Sequence, residues 1–339
     1  MRSFSSAALA LLVCVGPAAA AEPAVNVEEL RGAVRKALPL IQKGAAGHIR
    51  QKTCFACHNQ AIPVLAMLTA EPRGFDAKIE DVQKQLTFIA DFLEKNRKQY
   101  REGKGQGGAA DTAGYALWTL ALGGWKPDDT TAAVVEYLLQ YQKERDHWRS
   151  NAQRPPTEAS PFTTTFVSLR GLQAYGTPEQ KERITERFAA VRDWLVKSPA
   201  RDTEDRVFRL RGLHLTGADA DVTAGAAEAL RKGQREDGGW SQTSDMTSDA
   251  YATGTALVAL HDVGGLATTD PVYQRGVQYL LRTQEEDGSW HVKSRSRPFQ
   301  TYYETGFPHG KDQFISSAAS SWAATALALA CPPLDKKRR

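Results

Sequence analysis

The segment QREDGGW at positions 234–240 recurs as QEEDGSW at positions 284–290. A repeat with a period of this length is typical of arrays of helical hairpins. Between the two copies, the stretch SDAYATGTALVAL at 248–260 places small and apolar side chains at helical spacing on more than one face. This pattern predicts a helix that is buried on all sides.

The same two kinds of helix are predicted along most of the chain. Buried helices are expected where small and apolar residues follow a Ser, Thr or Asp start signal, and most of them end at glycine. They lie at 109–123, 160–176, 203–217, 248–260 and 315–330, with 58–69 as the first of the set. More polar, amphipathic helices are expected at 27–44, 77–100, 130–143, 178–197, 219–233 and 271–283. Strand signals are scarce, so the sequence predicts an all-α fold in which six outer–inner hairpins close a ring.

The two Q-x-x-D-G-[GS]-W segments resemble the QW motifs of squalene-hopene cyclases and related prenyltransferase repeats. The resemblance covers 140–330, with YQKERDHW at 141–148 as a degenerate third copy. It implies an (α/α)6 toroid in which the glutamine and tryptophan of each motif join the end of an outer helix to the start of the next inner one. Gln234, Trp240, Gln284 and Trp290 are therefore expected to be structural.

The catalytic motifs of these families are not found in the sequence. The segment closest to the cyclases' Asp-x-Asp-Asp motif is SDMTSD at 244–249, which lacks the adjacent acids. The Asp, Cys and His zinc set of protein prenyltransferases and the Cys-Gly-Glu-Gln thioester are missing as well. The resemblance therefore implies a shared fold and not a terpene cyclase. Four acids stand where inner helices begin, and capping is favoured over acid–base chemistry for them: Asp111, Glu204, Asp205 and Asp249.

Residues 1–21 have the pattern of a signal peptide: Arg2, a short apolar core and a run of alanines before Glu22. The mature protein is expected to be periplasmic or secreted, with one domain at 22–331 and a solvated basic tail at 332–339. No later stretch is apolar for long enough to span a membrane. The net charge of +4 is spread along the chain without a basic stripe, which argues against a nucleic-acid partner.

The pentapeptide Cys54-Phe55-Ala56-Cys57-His58 is the attachment signature of c-type haem. The spacing lets two thiols add to one edge of the porphyrin while the histidine ligates the iron, and haem attachment of this kind takes place on the exported side of a bacterial membrane. A thioredoxin-like pair lacks its βαβ context, a zinc site lacks two further ligands, and an iron–sulfur cluster lacks cysteines. One alternative stays open, an oxidised structural Cys54–Cys57 pair.

The second axial ligand of the iron is expected from the long segment 291–314, which ring closure would bring beside the first hairpin. His309 is favoured because it lies on a constrained Gly-Phe-Pro-His-Gly turn, and His291 is the alternative. Met67, further along the helix that follows His58, is expected to be core.

Two functions are consistent with these features. The first is an exported protein with one covalent haem c, serving electron transfer with a periplasmic redox partner or haem-dependent redox chemistry on an apolar ligand. Whether such a protein is an oxidoreductase in its own right is left open by the sequence. The second is a non-catalytic toroid binding module with a structural Cys54–Cys57 disulfide.

Overall fold

Two kinds of helix alternate along the chain in the computed structural model, which describes residues 25–298 and 300–334. The outer helices are α1 (Val27–Gln51), α3 (Ile79–Lys95) with the short α4 (Arg97–Arg101), α6 (Asp129–Gln140), α8 (Lys181–Lys197), α10 (Ala220–Arg231) and α12 (Pro271–Thr283). The inner helices are α2 (Ile62–Ala70), α5 (Ala109–Leu122), α7 (Pro161–Tyr175), α9 (Thr203–Leu215), α11 (Ala250–Asp262) and α13 (Gln313–Ala330). The predicted signal peptide and the basic residues of the tail lie outside the described residues.

The inner helices are buried on nearly all faces. In α11 every residue from Ala250 to Leu260 is buried, and α13 is buried from Ile315 to Ala328. The outer helix α12 instead buries one face, which includes Val272, Tyr273 and Leu280. This difference follows from composition, since a helix can be surrounded by others only where its side chains are small or apolar on every side.

The inner helices contact one another in chain order, from α5 through α7, α9 and α11 to α13. The ring closes because α2 contacts both α13 and α5. Six hairpins therefore form an (α/α)6 toroid, and the all-α prediction is confirmed. Among the described helices, none combines the length and the apolar character needed to cross a bilayer.

Each copy of the Q-x-x-D-G-[GS]-W motif forms a turn, called here a tryptophan turn, that joins neighbouring helices through the same hydrogen bonds. The indole N–H of Trp240 donates to the carbonyl of Leu230 at 2.9 Å, and that of Trp290 donates to Leu280 at 2.9 Å. Trp148 in the degenerate copy repeats the bond to Leu138 at 3.0 Å. The backbone N–H groups of these tryptophans donate to hydroxyls on the following inner helices, namely Thr253, Ser320 and Thr165. The tryptophans are structural, as predicted.

The glutamines of the turns bond to the next hairpin along the ring. The Gln234 amide donates to the carbonyl of Val272 in α12 at 2.8 Å. The Gln284 amide donates to the carbonyl of Ala33 in α1 at 2.9 Å, so the last turn closes the ring onto the first helix. At this contact Gly288 has φ +95, and a Cβ there would meet the backbone of Lys36 at 2.6 Å. Glycine is required because the two backbones approach so closely.

Two features differ from the sequence expectation. Helix α1 runs to Gln51, seven residues past the predicted end at Gly44. The segment that follows the turn at 234–240 also forms a short antiparallel pair, β1 (Trp240–Ser241) with β2 (Ser248–Asp249).

Candidate functional site

The C-x-x-C-H motif lies in the connection between α1 and α2. Residues 52–56 form an irregular link, and Cys57–Ala61 form a π-helical turn that leads into α2. Cys54 is exposed, whereas Cys57 is buried, and both are free thiols. The motif therefore has one thiol at the surface and one inside the ring.

His48 in α1 fixes the first part of the link. Its Nε2 is 2.7 Å from the carbonyl oxygen of Cys54, and its Nδ1 is 2.9 Å from the hydroxyl of Tyr303. A carbonyl only accepts, so Nε2 carries the proton and Nδ1 accepts from the Tyr303 hydroxyl. Burial lowers the pKa of His48 to about 4, which keeps the imidazole in this neutral form.

Gln60 fixes the second part of the link. Its side-chain oxygen accepts from the backbone N–H of Ala56 at 3.0 Å, and its amide donates to Gln85 of α3 at 3.1 Å. The start of the π-helical turn is thus held by a side chain anchored on the second hairpin.

The Cys57 thiol lies in a buried acidic environment. It donates to the carboxylate of Glu158 at 3.3 Å, and that carboxylate pairs with Arg154 at 2.7 Å. Burial and the charge of Glu158 raise the pKa of Cys57 well above its ordinary value. The sulfur is therefore held in an uncharged form.

The imidazole of His58 is half-buried, and its Nε2 points into the protein. Its ring packs edge-on against Phe314 of α13, with centroids 5.2 Å apart. Burial lowers the pKa of His58 to about 3, so the ring is neutral. Its Nε2 has no hydrogen-bond partner among the described residues, although it is shielded from solvent. A buried ring nitrogen without a partner is unusual, because no hydrogen bond offsets the free energy of removing it from water.

The two histidines predicted as second axial ligands lie together. The rings of His291 and His309 stack with centroids 4.6 Å apart and planes 6° from parallel. The Nε2 of His309 is 2.7 Å from the hydroxyl of Ser289, and the Nε2 of His291 is 2.9 Å from a carboxylate oxygen of Asp312. The long segment that carries them does pack on the first hairpin, as expected, through Tyr303 and Phe314. Ligation of the iron by His309 or His291 stays a prediction. Met67 is buried in the core.

Two of the acids that were expected to cap helices, Glu204 and Asp111, are buried inside the ring and bond to hydroxyl groups. Glu204 accepts from the hydroxyls of Thr163 at 2.8 Å and Tyr251 at 3.1 Å, on neighbouring inner helices. Asp111 accepts from the hydroxyls of Thr164 and Ser150. Burial, which outweighs these hydrogen bonds, raises the pKa of Glu204 to about 8 and that of Asp111 to about 7.

The other two acids, Asp249 and Asp205, differ in their partners: one caps its helix and the other does not. Asp249 accepts from the backbone N–H of Ala252 at 2.9 Å and is a cap, as expected. Asp205 bonds instead to the hydroxyl of Ser160 and to the backbone N–H of Arg201. Asp111, Glu204 and Asp205 lie in the first turns of their helices, as expected, but they are not the N-caps. Their carboxyls accept instead from hydroxyls on neighbouring inner helices and on the connection that precedes α7.

A groove of about 780 Å³ lies between α1 and α3. Ile49, Ile79 and Phe88 give it an apolar lining, and Arg50 and Lys84 add charge. The Phe88 ring is 6.2 Å from that of His48, so the groove adjoins the helix that holds the C-x-x-C-H link.

Alternating helices, tryptophan turns and a closed inner ring define the class of terpenoid-cyclase-like (α/α) toroids. The family model described as squalene-hopene cyclase C-terminal domain matches residues 168–337, half of the chain. The chain belongs to this family.

Two curated relatives share parts of the sequence. Squalene–hopene cyclase of Bradyrhizobium diazoefficiens is 28% identical over 220 residues, 57% of this chain and 31% of the relative. Lanosterol synthase erg7A of Aspergillus fumigatus is 32% identical over 102 residues, 30% of this chain and 12% of the relative. The chain thus spans less than a third of either relative.

Solved structures share the fold over most of the chain. The type II terpene cyclase MstE from Scytonema superposes with a TM-score of 0.56 at 15% identity, covering 91% of this chain and 100% of the cyclase. A protein from Actinoplanes superposes with a TM-score of 0.58 at 13% identity, covering 89% and 100%. At these identities the likeness establishes the toroid alone.

Proposed function

We propose that this protein is an exported redox protein that carries one covalent haem c on a terpenoid-cyclase-like toroid. Cys54 and Cys57 would hold the porphyrin through thioether bonds, and His58 would ligate the iron. The bound haem would supply a one-electron couple at the iron. The sequence does not support the cyclisation for which the relatives are named, because the acids of the Asp-x-Asp-Asp motif are missing from it.

One observation carries the proposal: the imidazole of His58, directly after Cys57, has a buried Nε2 without a partner among the described residues. The neutral ring offers a lone pair there, which is the form that binds a metal. Iron at this nitrogen would compensate the cost of having removed it from water.

The environment of Cys57 supports thioether formation over a thiolate metal site. Zinc binds cysteine as thiolate, but burial beside Glu158 disfavours a negative sulfur. A thioether carries no charge and is stable in such surroundings. Cys54 lies at the surface, so the same segment is open to a second protein on one side.

The decisive experiment is acid–acetone extraction of the exported protein, followed by its absorption spectrum. The proposal expects a Soret band that stays with the polypeptide. Cys57→Ala should abolish or weaken covalent attachment, and His58→Ala should leave a perturbed or high-spin iron. Cys331→Ala is the matched control, since this third cysteine is also buried but lies after α13.

A colourless protein would refute the proposal. If its mass were also lower by two hydrogens than that of the reduced chain, the binding module with a Cys54–Cys57 disulfide would be the better description.

The expectation that His309 is the second axial ligand is tested on the same material. If it is, His309→Ala should open the iron to carbon monoxide and shift the spectrum to high spin, while His291→Ala leaves ligation intact. The contacts of these two histidines also support a different role.

A further inference from the structure

We propose that Glu285, His291 and His309 bind one divalent transition-metal ion at a site separate from the C-x-x-C-H motif. Each residue offers a ligand atom, and the three atoms lie within 4.8 Å of one another. Two imidazoles and one carboxylate form a donor set that suits zinc and ferrous iron. This inference goes beyond the proposed function and does not depend on it.

Comparison of the two repeat turns within the chain shows that the fold does not require these side chains. Both turns keep the same bonds, with Gln234 donating to the carbonyl of Gly238 and Gln284 to that of Gly288, each at 2.9 Å. The first turn nevertheless has other residues at the positions of Glu285, Ser289 and His291, namely Arg235, Gly239 and Ser241. At these three positions the second turn instead carries side chains that lie beside His309.

Each imidazole already has the outer partner that metal-bound histidines usually have. The Nε2 of His291 bonds to the carboxylate of Asp312, whose other oxygen accepts from the backbone N–H of Ser294 at 2.8 Å. The Nε2 of His309 bonds to the hydroxyl of Ser289, which in turn bonds to Asp287 at 2.6 Å. Such partners fix the tautomer and the ring orientation of a ligating histidine. With both Nε2 atoms occupied, Nδ1 of each ring is the nitrogen available to a metal.

The backbone at His309 supports a specific role. Its φ of 79° and ψ of 21° lie in the left-handed region, which is strained for a non-glycine residue. The conformation places the imidazole against His291, and strain of this kind is common at binding sites.

The site is open and adjustable. Glu285 and His291 are exposed and His309 is half-buried, so water can complete the coordination of a bound ion. The relative orientation of the two stacked rings must change on binding. A metal lies in the plane of each imidazole that binds it, and one ion cannot lie in two planes that are parallel and separated. One ring would turn about χ2, which is a soft torsion for histidine, and exchange its present hydrogen bond, while the outer partner of the other ring keeps that ring in place.

The test is calorimetric titration of the full-length, chelator-treated protein with Zn²⁺. Wild-type protein should bind one ion that is lost in a His309→Asn variant, where asparagine tolerates the left-handed backbone. Asp312→Asn, which replaces the carboxylate of an outer partner with a neutral amide, should weaken binding about 10–100-fold. Glu286→Gln changes an exposed neighbouring acid and should leave the affinity unchanged.

A Cys54→Ala/Cys57→Ala variant separates this site from zinc bound by the motif's thiols, and it should keep the ion. The absorption spectrum of any haem should be the same in His309→Asn and wild type. Equal zinc binding by wild type and His309→Asn would overturn the proposal. Loss of all zinc in the double cysteine variant would overturn it as well, and so would a haem spectrum altered by His309→Asn without loss of zinc.

Discussion

The pH dependence of stability should reveal the buried acid at the centre of the ring. Glu204 is fully enclosed, and its pKa rises to about 8 from an ordinary value of 4.5, mainly because burial penalises the charged form. The folded protein therefore holds a proton that the unfolded chain releases near its ordinary pKa. The free energy of unfolding that this proton contributes is fully present below about pH 4.5 and is lost as the pH rises through about 8.

The size of the effect follows from the two pKa values. The difference between the folded and the unfolded pKa of Glu204 corresponds to about 5 kcal/mol of unfolding free energy over the whole titration. About 3 kcal/mol of this is lost between about pH 5 and about pH 8. A Glu204→Gln variant resembles the protonated acid, since its side chain is neutral and can still bond to Thr163 and Tyr251. Other titrating groups are common to both proteins, so they cancel in the comparison.

The assay is urea denaturation, monitored by far-UV circular dichroism, at about pH 5 and at about pH 8. Between the lower and the higher pH, wild type should lose about 3 kcal/mol more stability than Glu204→Gln. Glu136→Gln is the matched control: Arg183 lowers the pKa of Glu136 to about 2, so this carboxylate is ionised in both states throughout the window. Its curve should run parallel to that of wild type. Parallel curves for wild type and Glu204→Gln would refute the reasoning, because they would mean that Glu204 is charged in the folded ring.

Three further substitutions test the contacts that build the ring and the motif. Trp290→Phe removes an N–H that donates to a carbonyl of α12, so it should lower the free energy of unfolding by about 1–3 kcal/mol more than Trp322→Phe. The indole N–H of Trp322 has no partner among the described residues, and equal losses would contradict this account. Gly288→Ala should lower the melting temperature because its Cβ would strike α1, whereas Gly225→Ala, with open space in α10, should raise it slightly. Tyr303→Phe removes the hydroxyl that bonds to the buried imidazole of α1, so amide hydrogen exchange in residues 52–57 should accelerate, and unchanged exchange would argue against this clamp.

The helices and their order could be predicted from the sequence because each depends on local signals. Helical periodicity placed α12 at its observed bounds, and a start signal and a terminal glycine placed α7 within one residue. The predicted end of α1 at Gly44 is wrong. In the structure, Gly44 and Gly47 lie inside the helix, where Phe307 and Thr305 pack against them. A Cβ at Gly47 would meet the carbonyl of Thr305 at 1.7 Å, so these glycines serve a contact with a segment that is distant in the sequence.

The site was predicted only in part for a similar reason. The spacing of Cys54, Cys57 and His58 is a local pattern that can be recognised in the sequence. Glu158, which bonds to Cys57, and Tyr303, which bonds to His48 beside the motif, come from segments that only the folded ring brings there. No period or spacing marks such residues, so the sequence alone could not have identified them.

The motif occupies an outer–inner connection whose order depends on closure of the ring. In the last hairpin, Trp290 joins α12 to α13, so the turn is held by its own residues. The connection from α1 to α2 has no such tryptophan. Its carbonyl at Cys54 is held by His48, and His48 is held by Tyr303 from the segment that precedes α13. Because Tyr303 reaches this position only when the sixth hairpin packs on the first, this part of the geometry of the C-x-x-C-H link depends on contact between the first and the last hairpin. A group attached there would therefore lie where the first and the last hairpins meet, and the environment of that group would depend on whether the ring is closed.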